Sequence, residues 1–150
     1  MENVQVRQAV LADLAGLVPL FDAYRQFYGR ESDEVLAREF LRGRFNHGQS
    51  VVFIALDAAE NILGFAQLYP SFSSVMVART YILNDLYVVE HARRRGVARA
   101  LLNAATEYAR SVRAIRLTLS TLIDNASAQA LYRQQGWLPD EQFKVFHKVI

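Results

Sequence analysis

The chain has 150 residues, 52% of them hydrophobic, which is the size of one domain with ample material for one core. It contains no cysteine, which excludes disulfides, a cysteine nucleophile and thiolate metal sites, and fits a reducing cytoplasm. The net charge is only +2, with fifteen carboxylates spread among the basic residues, and no stretch approaches the roughly 20 apolar residues of a membrane span, so we expect neither a nucleic-acid nor a membrane partner.

The predicted elements alternate between strands and helices within a single α/β domain over 1–150. In chain order they are a strand over 4–10, a helix over 13–28, a helix over 32–44 capped by Ser32, strands over 51–56 and 62–69 joined by a hairpin turn, a loop over 70–74, a strand over 75–89, a helix ending near residue 110, a strand over 115–121, a helix over 126–135 and one or two strands over 137–149. No repeat, low-complexity tract or linker interrupts this order.

The turn that follows the long strand has the features of an anion site. A strand–turn–helix arrangement leaves the first N–H groups of the helix unpaired, and the helix dipole favours negative charge there. Gly96 permits a tight turn and close approach of a ligand, and Ala98 is small. The charged residues of this segment are Arg93, Arg94, Arg95 and Arg99. Because four arginines at a helix N-terminus oppose its dipole, we predict a bound phosphate group.

This segment resembles the acetyl-CoA loop of the GNAT superfamily of N-acetyltransferases. In that family a Gln or Arg is followed by Gly three positions later and by Gly or Ala after two more, as in Arg93, Gly96 and Ala98. The resemblance implies that backbone amides of residues 94–99, Val97 among them, hold the pyrophosphate. It also implies that the strand residues Leu86, Tyr87 and Val88 pair with the pantetheine arm, with the Val88 N–H as donor to the oxyanion.

A second motif extends from Asn125 to Trp137. Taken alone, Asn125 is a helix cap and Tyr132 a packing residue, although their spacing of seven puts both on one helix face. The order Asn-x-x-Ala-x-x-Leu-Tyr-x-x-x-Gly-Trp, which includes Ala128, is similar to the second signature of the same superfamily. The resemblance implies that Asn125 and Ala128 border the cofactor and that Tyr132 protonates the departing thiolate. A phenol, with a pKa near 10 against about 8.5 for a thiol, suits that role.

Together the two motifs imply a central, mostly antiparallel sheet that is splayed at a β-bulge at Val88 and flanked by about four helices. They imply acetyl-CoA as cosubstrate, no metal, a primary amine as acceptor and a homodimer. Residues 82–88 and the pair Leu131–Tyr132 resemble more closely the histone- and polyamine-acetylating branch.

The proton acceptor stays open at this level. Some polyamine-type members carry a glutamate at the position of Asn84, and an amide accepts no proton at neutral pH. Asp85 is adjacent, but strand alternation directs it to the opposite face, and it is either a site residue or a structural partner, for example of an arginine. The alternatives are a water chain or one of His47, His91 and His147.

The acceptor amine is also open. Phe27 and Tyr28, at the end of the first predicted helix, are candidates to hold an ammonium by cation–π contact, worth up to about 2 kcal/mol when desolvated, whereas Phe21 and Tyr24 are expected in the core. Acidic residues over 31–34 favour a small cationic amine, with a lysine of a basic protein as the second candidate. A non-catalytic acyl-CoA-binding module is the alternative of another class.

Overall fold

The computed structural model describes residues 3–150. The chain forms two compact units, Met1–Ser120 and Thr121–Ile150. Within residues 3–150 the first unit contains a five-stranded sheet and three α-helices, and the second contains one α-helix. The predicted mixed α/β class is confirmed, whereas a single domain over 1–150 stays a prediction.

The strands are β1 (Gln5–Gln8), β2 (Val51–Leu56), β3 (Ile62–Ser73), β4 (Ala78–Val88) and β5 (Leu117–Thr118). The helices are α1 (Leu14–Phe27), α2 (Glu34–Asn46), α3 (Val97–Ser111) and α4 (Ala126–Gln134). The strands follow one another in the sheet in sequence order, and neighbours are antiparallel except β4 and β5, which are parallel. The mostly antiparallel sheet therefore agrees with the predicted architecture.

The core of the first unit lies on both faces of the central strands. Val52, Ile54 and Phe65 form one buried cluster with residues of α1 and α2, among them Leu17. On the opposite face of β2, Phe53 contacts the ring of Tyr108 in α3, with 5.7 Å between ring centroids. Because successive strand residues point to opposite faces, a strand covered on both sides is a continuous apolar run, as β2 is.

A buried carboxylate fixes the connection between α1 and α2. Asp22 accepts hydrogen bonds from the Ser32 hydroxyl (2.6 Å) and from the Asp33 N–H (2.8 Å), which hold the pKa of Asp22 below its ordinary value. Asp33 itself caps α2 by accepting from the Leu36 N–H at 3.0 Å. The prediction that Ser32 caps this helix is therefore wrong, since its hydroxyl is committed to Asp22.

The β3–β4 hairpin is longer than the sequence indicates. The prediction of a loop over 70–74 is wrong, because β3 continues to Ser73 and Phe72 pairs with Arg79 of β4. The chain reverses over residues 74–77, where the Val77 N–H donates to the Ser74 carbonyl oxygen at 3.2 Å. Cross-strand pairing here overrides the turn preference of proline and serine, as strand propensity depends on the partner strand.

We expect Val77→Gly to stabilise the protein. Val77 has a φ of 49°, and its side chain is 91% exposed. A β-branched residue in this left-handed region is strained by about 1–2 kcal/mol, and glycine removes that strain without losing buried area. Chemical denaturation should therefore give a higher free energy of unfolding. The control is Val75→Gly in the same turn, which is 92% exposed and has no positive φ; a gain there too would contradict the strain argument.

The second unit contains α4 with both of its predicted ends. Asn125 caps it, its Oδ1 accepting from the Ala128 N–H at 3.2 Å. At the other end Gly136 has a φ of 87°, and the Trp137 N–H donates to the Tyr132 carbonyl oxygen at 3.0 Å. That bond and the left-handed glycine form the hydrogen-bonded C-cap that the sequence predicts.

The strands predicted over 137–149 are not found: in the part of the chain that the structure describes, β5 is the last strand. Phe146 is 88% exposed and Ile150 fully so. Alternating apolar and basic residues favour a strand only where a neighbouring strand supplies the hydrogen bonds, and residues 138–150 lack secondary structure.

Candidate active site

The turn over residues 93–96 opens the N-terminus of α3. It contains two left-handed residues, Arg94 with a φ of 62° and Gly96 with a φ of 80°. Gly96 is the N-cap of α3 and provides no side-chain hydrogen bond to the helix, unlike Asp33 and Asn125 at α2 and α4. The first N–H groups of α3, from Val97 onward, are therefore not occupied by a capping side chain.

Arg93 fixes this turn to the end of β4. Its Nε donates to the Val88 carbonyl oxygen at 2.9 Å, and its guanidinium carbon lies 5.6 Å from the centre of the Tyr87 ring. Arg93 thus has a structural contact in addition to its predicted role in cofactor binding. Arg94, Arg95 and Arg99 are exposed.

β5 pairs with only part of one edge of β4. β5 pairs with Tyr81 and Ile82, whereas Leu86, Tyr87 and Val88 lie further along the strand, beyond that pairing. On the other edge β3 pairs with β4 up to Val88. The residues of β4 next to the turn 93–96 therefore lie outside the pairing with β5, and a splay of the two strands stays a prediction.

The bulge in β4 lies at Asn84 and not at Val88, so that detail of the prediction is wrong. Gln67 pairs with Asp85 and Leu68 with Leu83, which leaves Asn84 as the extra residue. Near the start of β3, Gly64 pairs with Val88 without a register shift. The bulge is set by the pairing of two particular strands, which a pattern within one strand does not show.

These residues suit the pyrophosphate and pantetheine groups of acetyl-CoA. A Cβ added at Gly96 would meet nothing within 4 Å, so the surface beside it is open to a ligand. The uncapped helix N-terminus attracts an anion, and the strand edge beyond the β5 pairing can pair with amide groups. Arg94 and Arg95, both exposed, add positive charge at the turn.

A buried polar pair lies at the bulge. Asp85 is 2% exposed and Gln67 is fully buried. Asp85 accepts hydrogen bonds from Gln67 Nε2 (2.5 Å) and from Asn84 Nδ2 (2.8 Å). Its partners are thus two amides and not an arginine, which was one reading of the sequence. The sequence analysis did not single out Gln67. The feature that could have indicated it is a single amide within the apolar run 62–69.

The groups around Asp85 shift its pKa in opposite directions. Burial raises the pKa of Asp85, against hydrogen bonds from Asn84, Gln67 and Tyr24 that lower it. Burial and the Asp85 charge raise the pKa of Tyr24, so its phenol stays protonated. The three histidines considered as bases, His47, His91 and His147, are all exposed.

Aromatic residues connect this pair to the surface at the end of α1. Tyr24 is half-buried, and its hydroxyl donates to the Asn84 carbonyl oxygen at 3.2 Å. Its ring centre lies 5.1 Å from that of Tyr28, which in turn lies 5.2 Å from Phe27. Phe27 is 56% exposed and Tyr28 48%. The predicted acceptor residues Tyr28, Asn84 and Asp85 are therefore joined through Tyr24, which the sequence interpretation had assigned to the core.

In the second unit, Tyr132 is half-buried on α4, and its ring centre lies 6.2 Å from that of Trp137. Asn125 uses Oδ1 to cap the helix, and Ala128 provides the capped N–H. The motif residues thus form the ends and one face of α4.

Two features are absent from residues 3–150. None of the helices there combines the length and apolar character that crossing a membrane requires. The same residues include no cluster of three or more His, Cys, Asp or Glu side chains suited to a metal ion.

Comparison with known proteins identifies the class. The sequence pattern of the Acetyltransferase (GNAT) family matches residues 17–137. The chain is 46% identical over 140 residues to the uncharacterized N-acetyltransferase YhfO of Bacillus subtilis (strain 168), covering 93% of each chain. It is 30% identical over 112 residues to the aminoglycoside N(6')-acetyltransferase type 1 of Klebsiella aerogenes, covering 73% of each. A crystal structure of a probable acetyltransferase superposes with a TM-score of 0.93 at 44% identity, covering 97% of each chain.

The protein is therefore an acyltransferase. The chain belongs to the GNAT family of acetyltransferases, whose members use acetyl-CoA.

Proposed function

We propose that the protein transfers the acetyl group of acetyl-CoA to a small cationic primary amine. The observation that carries the proposal is the N-terminus of α3, which has a left-handed glycine as its N-cap and exposed arginines before it. A helix start of this kind binds phosphate through its backbone N–H groups.

Acetyl-CoA supplies an activated thioester, and the chain supplies its anchors. The N–H groups of Val97 and Ala98 would hold the pyrophosphate, with Arg94 and Arg95 neutralising its charge. Leu86–Val88, beyond the pairing with β5, would hydrogen-bond the two pantetheine amides as an added strand. Apart from these two arginines, the contacts use backbone groups that the fold positions in advance.

Val88 would donate to the oxygen that becomes negative during transfer. The Val89 N–H donates to the Leu63 carbonyl oxygen of β3 at 2.9 Å. Since neighbouring strand residues direct their N–H groups to opposite edges, the Val88 N–H is turned away from β3, as is its carbonyl, which accepts from Arg93. Such a preorganised backbone donor stabilises charge without reorganisation.

Tyr132 would protonate the departing thiolate. Its support is the motif that it shares with the family on α4, together with a phenol pKa above that of a thiol.

A cationic acceptor is supported by the end of α1 and the connection that follows. Phe27 and Tyr28 expose aromatic faces, and Glu31 and Asp33 in the adjacent connection carry negative charge. The relative named for aminoglycosides supports an amine acceptor. Polyamines remain candidates through the resemblance of residues 82–88 to the polyamine-acetylating branch.

The direct test measures release of the CoA thiol from acetyl-CoA with a panel of amines. The panel contains a polyamine, an aminoglycoside, an amino sugar and a lysine-containing basic peptide. Release with one of the three small amines supports the proposal. Release with the peptide alone would favour a protein lysine as acceptor, and no release with any acceptor would overturn the proposal.

Gly96→Ala should raise KM for acetyl-CoA about tenfold with a smaller effect on kcat, because a methyl group would stand where the pyrophosphate approaches. The control is Gly48→Ala. Both glycines have positive φ, 80° and 58°, and both Cβ positions are open, so each variant puts alanine at a positive φ without a steric clash. Steady-state kinetics at varied acetyl-CoA checks this. An equal rise of KM in both variants would assign the effect to strain and not to the ligand.

The homodimer also stays a proposal. Exposed apolar side chains such as Phe143, Val145 and Phe146 in the C-terminal segment support it, and size-exclusion chromatography with light scattering checks it.

A further inference from the structure

The carboxylate of Asp85 is buried among neutral groups. The side chains that donate hydrogen bonds to it belong to Asn84 and Gln67, and the nearby Tyr24 hydroxyl also lowers its pKa. A buried carboxylate is costly when no positive charge compensates it. The arrangement therefore suits a group that receives a proton or meets a cationic ligand.

Gln67 shows that the pair has unused hydrogen-bonding capacity. Its Nε2 donates to Asp85, but its Oε1 is buried and has no hydrogen-bond partner among the described residues. An orphaned buried acceptor has a cost of about 1–3 kcal/mol, and proteins retain few of them. A role of this pair in catalysis would explain why the chain retains a buried, unpaired Oε1 at Gln67, which stability alone does not explain.

Tyr24 lies between this pair and the surface. Its hydroxyl donates to the Asn84 carbonyl oxygen, and its proximity lowers the pKa of Asp85. Its ring contacts the exposed ring of Tyr28 on one side and the buried ring of Phe65 on the other, with centroids at 5.1 and 5.9 Å. The Tyr24 side chain therefore lies between the exposed ring of Tyr28 and the group that includes Asp85.

We propose that Asp85 is the final proton acceptor for the ammonium group of the substrate, reached through the Tyr24 hydroxyl, and that Gln67 is a positioning residue for its carboxylate. This inference rests on the proposed transfer to an amine. It assigns the base that the sequence left open, at a residue next to Asn84.

The proton transfer balances without a further reactant. The ammonium N–H bond breaks and its proton passes to the Tyr24 oxygen, while the Tyr24 O–H turns from the Asn84 carbonyl oxygen and passes its proton to a carboxylate oxygen of Asp85. The products are a neutral amine, whose nitrogen keeps the electron pair needed for attack, and a neutral Asp85. Tyr24 is a phenol before and after, which agrees with its resistance to ionisation.

Other titratable groups face the same region from each packed element. Tyr28 contributes from α1 and Tyr69 from β3, where burial and the Asp85 charge raise the pKa of Tyr69. Arg44 of α2 acts on Tyr69 in the opposite direction. The raised pKa keeps Tyr69 protonated, so Asp85 is the base of this group.

The test compares two acceptor amines, one protonated at the assay pH and one largely unprotonated there. For Asp85→Asn we expect kcat/KM to fall about 100-fold with the protonated amine. With the unprotonated amine the loss should disappear, because no proton has to be removed before attack. With the protonated amine, the variant should also regain activity as the pH rises toward the pKa of that amine.

Tyr24→Phe provides a second reading that keeps the ring in its aromatic contacts. We expect the same selective loss with the protonated amine and an unchanged KM for acetyl-CoA. The matched control is Tyr108→Phe on the opposite face of the sheet, where burial raises the pKa of the phenol to about 12; this variant should behave as wild type with both amines.

The outcomes separate the two proposals. If the wild type releases thiol with the amines but both variants lose activity equally with each amine, or lose none, the proton route is wrong and the proposed function stands. If the wild type releases no thiol with any amine, the proposed function and this inference both fail. If Asp85→Asn does not fold, as judged by circular dichroism, Tyr24→Phe decides.

Discussion

Replacing Tyr132 by phenylalanine should lower kcat by about 100-fold or more, with KM for acetyl-CoA close to that of the wild type. The proposed role is protonation of the thiolate as it departs, which occurs only in the transition state. Loss of the hydroxyl should therefore affect turnover and not binding of the ground state. Steady-state kinetics with the best amine of the panel measures both constants.

The Tyr132 substitution is expected to preserve α4. The ring of Tyr132 is half-buried and contacts Trp137, and a phenylalanine ring can keep that contact. The helix ends depend on Asn125 and Gly136, which the substitution leaves in place. Thermal denaturation is the control for folding. A variant with full kcat would show that another group, or solvent, protonates the thiolate.

The parts of the fold that local chemistry determines were predictable. Gly96 begins α3 and Gly136 ends α4 with a positive φ, and Asn125 caps α4. These features could be predicted because each depends on only a few neighbouring residues. The hairpin of β2 and β3 follows from two apolar runs around a polar turn.

Features that depend on partner segments were not predictable. The bulge at Asn84 exists because Gln67 pairs with Asp85 while Leu68 pairs with Leu83, and no pattern within β4 fixes that register. Gln67 was overlooked for the same reason, since its meaning depends on the carboxylate opposite it. Ser32 was taken as a cap because its buried partner, Asp22, lies ten residues away.

Gly64→Ala should be the most disruptive single methyl addition in the sheet. A Cβ at Gly64 would lie 2.7 Å from the carbonyl oxygen of Tyr87 and 3.3 Å from the Cα of Val88. Both contacts are with backbone, which cannot rotate away, so β3 and β4 would have to separate. Overpacking of this kind costs typically 1–3 kcal/mol, and we expect a loss of unfolding free energy in the upper part of that range by chemical denaturation.

The same substitution should weaken acetyl-CoA binding, because the displaced residues are those proposed to pair with pantetheine. Gly43→Ala in α2 is the control, since its Cβ would meet nothing within 4 Å and its φ is not positive. Alanine there should stabilise the helix by about 0.5–1 kcal/mol and leave KM unchanged. If Gly64→Ala lowers stability but KM for acetyl-CoA stays at the wild-type value, the position of Tyr87 and Val88 does not govern cofactor binding. In that case the turn 93–96 alone would have to account for the affinity.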